Sequence, residues 1–154
     1  SSGRFDFVWV FEGWDVLRAR AVARANVTSI KFVDYQNCIP DWYTPIIIAS
    51  EKTLAGRADL TRRSLEATTR GYQAAAREPL EGANALLEAA PELDAELVKA
   101  SAVYHAQRYL ADDGRWGHQQ AETWSRFAAF LRRAKLLEKD VDTTKAFTND
   151  YLPR

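Results

Sequence analysis

The 154-residue chain has no methionine, a single cysteine, seven glycines, no net charge and no long apolar run. Each scarcity excludes something. The lone thiol, Cys38, closes no internal disulfide, and neither a second cysteine nor a histidine cluster accompanies it to build a structural zinc site. Lysine plus arginine number 21, as do aspartate plus glutamate, and the pI is near 6.7. With no excess positive field to hold a polyanion, no nucleic-acid partner is expected. The longest apolar run, Pro45 to Ala49, falls far short of the about 20 residues that cross a bilayer as a helix, so a soluble chain is expected. The glycines form no phosphate-cradling loop, and no Ser/His/Asp arrangement or nucleophile elbow is present. Methionine is missing even at position 1 and no leader pattern opens the sequence, which reads as a processed or truncated chain.

What remains is ordinary globular material: 47% hydrophobic, 12% aromatic and 27% charged residues, enough for one core. Phe5 to Phe11 is aromatic and β-branched and reads as a buried strand. It runs straight into Glu12-Gly13-Trp14-Asp15, after which Trp14, Leu17, Ala21 and Ala25 recur at helical spacing. A second strand is expected from Ser29 to Asp34 or Tyr35. A third is expected from Pro45 to Ala49, its unbroken apolar run suggesting burial on both faces.

From Ser50 the pattern turns helical. Ser50 is a candidate N-cap for a short helix closing at Gly56. A long helix from about Ala58 to Glu78 places Leu65, Thr68, Tyr72 and Ala75 on one face, and Pro79 stops it and opens the next. Asp94 caps another helix, and a last long one carries Trp124, Phe127, Leu131 and Ala134. The tail from Val141 offers Phe147, Tyr151 and Leu152 as docking points. The expected class is α/β, rich in helix, with a sheet left incomplete because strands are missing from the front; bare sheet edges are otherwise avoided.

Several of these segments resemble one family. Tyr43-Thr44-Pro45-Ile46-Ile47-Ile48-Ala49-Ser50-Glu51, Ala67-Thr68-Thr69-Arg70-Gly71-Tyr72, and Pro91-Glu92-Leu93 before Leu97-Val98-Lys99-Ala100-Ser101 resemble the NMT1/THI5-like solute-binding proteins. So do Arg115-Trp116-Gly117 with Trp124, and the ending Ala146-Phe147-Thr148-Asn149-Asp150-Tyr151-Leu152-Pro153. The likeness is greatest to members that bind thiamin-pyrimidine precursors for an ABC importer. It covers nearly the whole chain but only about the C-terminal half of a full family member. Gln36-Asn37-Cys38-Ile39 departs from the family pattern, which is shorter there or contains glycine.

The resemblance implies a type-II periplasmic-binding fold with a ligand cleft between two lobes. Residues 1–34 would end the middle lobe, 35–43 would form the hinge, and 44–154 would complete the first lobe. It also implies an exported protein, periplasmic or lipid-anchored, with a small aminopyrimidine ligand, a membrane permease as partner and no cofactor. Two other readings stay open: a pyrimidine synthase of thiamin biosynthesis on the same fold, and a binder of sulfonates or other small anions.

Trp9, Phe11 and Glu12 stand where a strand end would meet a helix N-terminus, the place at which open α/β sheets present ligands. An aromatic face suits a flat pyrimidine, and a carboxylate can accept two hydrogen bonds from an aminopyrimidine. The family's pyrimidine binders use this pairing. The plainer reading makes Trp9 and Phe11 core residues and Glu12 a partner of the helix dipole. Asp41, Trp42 and Tyr43 would line the cleft mouth at the crossover, or else form a turn with aromatics packed beneath it. Asp34, Tyr35, Asn37 and Cys38 are weaker hinge candidates. His105 and His118 lack metal-ligand spacing and read as surface or satisfied core histidines. Asp112-Asp113-Gly114 reads as a solvated turn rather than a calcium loop. An apolar strand at Phe5 to Phe11 without its sheet neighbours is expected to promote self-association.

Overall fold

The computed structural model describes residues 6–153, which contain helices, turns and extended segments but no β-strand. The helix-rich part of the expectation holds, and the strands expected beside the helices are what the described residues lack. A strand needs hydrogen bonds from a neighbouring strand, and strand-like composition alone supplies none. Of the first expected strand, Phe5 lies outside the described residues; the stretch 7–11 is irregular and exposed, Phe7 by 91%. The second expected strand, Ser29 to Asp34, gives way to irregular backbone followed by a 3-10 turn, Phe32–Tyr35, in which the Asp34 N–H donates to the Lys31 carbonyl at 3.1 Å. The third, Pro45 to Ala49, is irregular and follows a cis Thr44–Pro45 peptide. Ile48 is 83% exposed there, where burial on both faces was expected.

Helical expectations fare better because their signals are local. A π-helical turn, Glu12–Val16, leads into α1, Leu17–Ala21. The periodicity that suggested a helix as far as Ala25 outruns it: Arg24 takes φ 45°, a left-handed conformation that ends helical geometry. The short helix α2, Glu51–Gly56, is capped by Ser50, whose side chain accepts from the Thr53 N–H at 3.1 Å. Helix α3 is Ala58–Arg77, and α4, Pro79–Ala89, opens on its proline. Asp94 caps α5, Ala95–Ala106, by accepting the Leu97 N–H at 2.9 Å. Helix α6 is Ala121–Arg133, and a 3-10 turn, Thr143–Lys145, lies in the tail.

Cα proximity divides the chain into two compact units. The first joins the residues up to Ile30 with Ala74–Tyr109. In it α4 packs on α5, and the π turn and α1 both lie against α5. Val16, Ala83, Leu97 and Val98 are the buried apolar residues of this unit. The second unit joins Lys31–Gln73 with the residues from Leu110 onward. Its interior is built from half-buried aromatics: Tyr72 of α3 stacks on Trp116 with centroids 4.9 Å apart, and Trp124 of α6 lies nearly parallel to Phe147 of the tail. Thr69 is buried, its hydroxyl donating to the Leu65 carbonyl at 2.8 Å.

Candidate functional site

In the first unit the entrance to the π turn is fixed by a reciprocal cap. The Phe11 carbonyl accepts from the N–H groups of Trp14, Asp15 and Val16, at 3.2, 2.8 and 3.4 Å. The Asp15 carboxylate in turn accepts the Phe11 N–H at 2.8 Å. This is the logic of a capping box, one residue further along because the turn is π-helical. It satisfies backbone groups that the start of a helix would otherwise leave open and holds Phe11 and Glu12 in a defined relation. The sequence reading passed over Asp15; its signal was a carboxylate four residues after an extended residue at a helix start.

Trp9 and Phe11 are 64% and 61% exposed, so neither is a core residue. The Glu12 side chain is largely covered, 20% exposed, and its Oε1 lies 3.9 Å from Nη1 of Arg20, about two helical turns beyond. Arg20 also donates to the Val27 carbonyl at 3.2 Å, which ties α1 to the segment that follows. The pair is long and Arg20 is half exposed, so it leaves the carboxylate open to a better partner.

Asp41, Trp42 and Tyr43 fall in the second unit. Asp41 is exposed and accepts the N–H of Trp42 at 3.0 Å. Trp42 stacks on Phe127 of α6, centroids 5.5 Å apart, and meets Phe32 at 5.7 Å. Tyr43 tilts against Trp124 at 6.1 Å, and its hydroxyl accepts the Gln120 N–H at 2.7 Å. Trp42 and Tyr43, with Thr123, Trp124 and Phe127, surround a cavity of about 60 Å³. A larger hollow of about 120 Å³ in the first unit is lined chiefly by apolar side chains, among them Trp14, Leu86 and Val98. Small-molecule sites usually run to about 300–1,000 Å³, so neither hollow encloses a heteroaromatic ligand by itself.

The weaker candidates are placed as follows. Tyr35 accepts, through its carbonyl, the N–H groups of Cys38 and Ile39 at 2.9 and 3.0 Å, and Cys38 is exposed with a free thiol. His105 lies in α5 with Nδ1 donating to the Ser101 carbonyl at 2.9 Å, as a satisfied core histidine should. His118 precedes α6. Asp113 sits in a tight turn completed by Gly114 at φ 78°. The Arg115 guanidinium and backbone N–H bond the Asp113 carboxylate and hold its pKa below the ordinary 3.8.

A family model described as NMT1/THI5 like matches residues 1–82, more than half of the chain, and the chain belongs to this family. Riboflavin-binding protein RibY of Chloroflexus aurantiacus is 29% identical over 114 residues, covering 70% of this chain and 32% of RibY. The chain thus spans about a third of the length of this curated relative. Among the described residues no helix is long and apolar enough to cross a membrane.

Proposed function

We propose that this chain is part of a solute-binding protein that captures a small, flat nitrogen heteroaromatic between two lobes and hands it to an ABC permease. In this reading residues 1–34 end one lobe, 35–43 form the crossover and 44–154 belong to the other. The protein works outside the cytoplasmic membrane, in the periplasm or on a lipid anchor, and no cofactor takes part. The observation that carries the reading is the turn at residues 9–12: two exposed aromatic faces adjoin a carboxylate whose only ion pair is a long one among the described contacts. Stacking and charge-assisted hydrogen bonds together suit a ring that carries an amino group next to a protonatable nitrogen.

Within that class a thiamin-precursor aminopyrimidine is the first candidate. A flavin is the second, supported by the name of the RibY relative. Both present a planar ring with adjacent hydrogen-bonding groups. Asp41, Trp42 and Tyr43 serve as further contacts at the crossover; the ring packing of Trp42 and Tyr43 would hold that segment stiff.

Calorimetric titration of the intact protein with 4-amino-5-hydroxymethyl-2-methylpyrimidine and with riboflavin, side by side, tests the reading. Glu12→Gln should weaken binding of the aminopyrimidine by about 1.5 to 3 kcal/mol, the usual size of a hydrogen bond to a charged group. Unchanged affinity in the variant would leave Glu12 as the ion-pair partner of Arg20 alone. Turnover of a bound pyrimidine would assign the synthase activity instead, and binding of sulfonates without either heteroaromatic would assign the anion binder.

A further inference from the structure

Nη1 of Arg20 lies 3.9 Å from Oε1 of Glu12, within ion-pair range but beyond hydrogen-bond reach. The guanidinium is held there from its other side, where Nη2 donates to the Val27 carbonyl at 3.2 Å. Among the described contacts the Glu12 carboxylate accepts no hydrogen bond, and Arg20 is its ion-pair partner. Asp15, the second carboxylate of the turn, is engaged by the Phe11 N–H at 2.8 Å.

This placement separates charge from hydrogen bonding. A guanidinium bonded directly to a carboxylate occupies acceptor positions on both oxygens. At 3.9 Å Arg20 occupies none of them, yet its charge still acts across the gap. A donor arriving at Glu12 therefore finds the oxygen lone pairs open and the negative charge partly offset. An N–H nitrogen bonded to Oε1 stands about 3 Å from that oxygen, and so roughly 4 to 7 Å from the guanidinium. Over such distances a positive ring is repelled appreciably at the dielectric of a protein surface, whereas a neutral donor feels almost none of this.

We propose that Arg20 is a specificity-determining residue, which biases the Glu12 site against rings that carry a positive charge and toward rings that donate neutral N–H groups. The aminopyrimidine offers such donors in its amino group, and a flavin in its imide N–H. A ring that stays protonated while carrying the same amino group is penalised. Arg20 acts here through its charge rather than through a hydrogen bond, and its guanidinium is half exposed, so the discrimination fades as salt screens it. The inference rests on the reading of Glu12 as a ligand contact and adds to it the charge of the ligand.

Two nearly isosteric probes test this on the intact protein. One is 4-amino-5-hydroxymethyl-2-methylpyrimidine, which is neutral in mildly alkaline buffer. The other is the corresponding 4-aminopyridine, in which a C–H replaces the ring nitrogen beside the amino group and which is a cation in the same buffer. Calorimetry gives the ratio of their affinities, and comparing that ratio between proteins cancels the intrinsic difference between the probes. Arg20→Gln should shift the ratio toward the cation by about three- to tenfold at low salt, and the shift should shrink when salt is raised to about 0.5 M. Arg20→Lys, which keeps the charge, should leave the ratio near that of the unmodified protein. A ratio unchanged in Arg20→Gln, including an equal loss for both probes, would mean that Arg20 only braces the turn through Val27 and would overturn the inference. A shift as large in Arg20→Lys would overturn it too. Glu12→Gln keeps the two failures apart: where it weakens both probes, the Glu12 reading stands whatever Arg20 does, and where it weakens neither, that reading and this inference fall together.

Discussion

Gly13 lies so close to His105 that a Cβ on the glycine would stand 2.2 Å from the imidazole Cε1 and 2.5 Å from Nε2. The Tyr104 ring would be 2.6 Å away. No atom pair tolerates such distances, so the absent side chain is what lets the π turn rest on α5. His105 is held from behind by the Ser101 carbonyl and cannot readily swing aside.

Gly13→Ala should therefore destabilise the chain. In an open helix the same change stabilises by about 0.5 to 1 kcal/mol, whereas overpacking typically costs about 1 to 3. Urea unfolding of the variant should show a loss in the latter range. His105→Ala should relieve part of it, giving a coupling of about 0.5 kcal/mol or more in a double-mutant cycle. A neutral or stabilising Gly13→Ala would show that α5 does not press on the turn.

The tail is pinned to the segment before α6 by a reciprocal amide contact across 30 residues of sequence. The Gln119 N–H donates to Asn149 Oδ1 at 3.0 Å, and Asn149 Nδ2 donates to the Gln119 carbonyl at 2.8 Å. Asn149→Leu strands both backbone groups and should cost about 1 to 3 kcal/mol. Asn149→Asp, which keeps the acceptor and loses the donor, should fall between. Hydrogen exchange should show the amides around Phe147 to Leu152 opening first. Tail protection equal to that of the unmodified chain would mean that the Trp124–Phe147 stack alone holds the tail.

Asp94 offers a simpler case, because its effect is confined to one cap. Its carboxylate accepts the Leu97 N–H, and Leu97 and Val98 are buried in the first unit. Asp94→Ala should cost about 1 kcal/mol, within the usual 0.5 to 2 for a lost N-cap. Ser50→Ala removes the same kind of bond from α2, whose residues are mostly exposed, so its loss should fray α2 with little change in the main unfolding transition. Equal effects of the two on the global midpoint would contradict this ranking.

These cases also mark how far the sequence could be read. Ser50, Pro79 and Asp94 act on backbone groups within four residues of themselves, so their helices were legible from spacing alone. The apolar runs 7–11 and 45–49 are equally clear as composition. A strand depends on a partner brought from elsewhere, and no strand forms among the described residues. For the candidate site, Glu12 with Trp9 and Phe11 could be named because they are adjacent. Arg20, Asp15 and His105 could not be attached to that turn without the π-helical geometry and the approach of α5. Trp42 and Tyr43 were visible as aromatics beside a proline, but their partners Phe127 and Trp124 lie some eighty residues away.

Two exposed carboxylates, Asp113 and Asp142, have pKa values lowered by their hydrogen-bond partners. Asp113 is held below its ordinary pKa of 3.8 chiefly by the Arg115 side-chain hydrogen bond, and Asp142 chiefly by that of Thr144, with the Thr144 N–H and Lys145 adding to it. A carboxyl group with a lower pKa in the folded chain than in the unfolded one is protonated first in the unfolded chain. Its stabilising contribution is then complete above pH 3.8 and fades as pH falls below that value toward the folded pKa. Asp113→Asn and Asp142→Asn should therefore lower stability slightly at pH 7, where the contribution is complete, and flatten its fall below about pH 4; both sites are fully solvated, so both effects are small. Thermal melts between about pH 2 and pH 7 of the two single variants and the double variant check this. A double variant whose acid limb still matches that of the unmodified chain would show that the loss of stability in acid comes from other carboxylates.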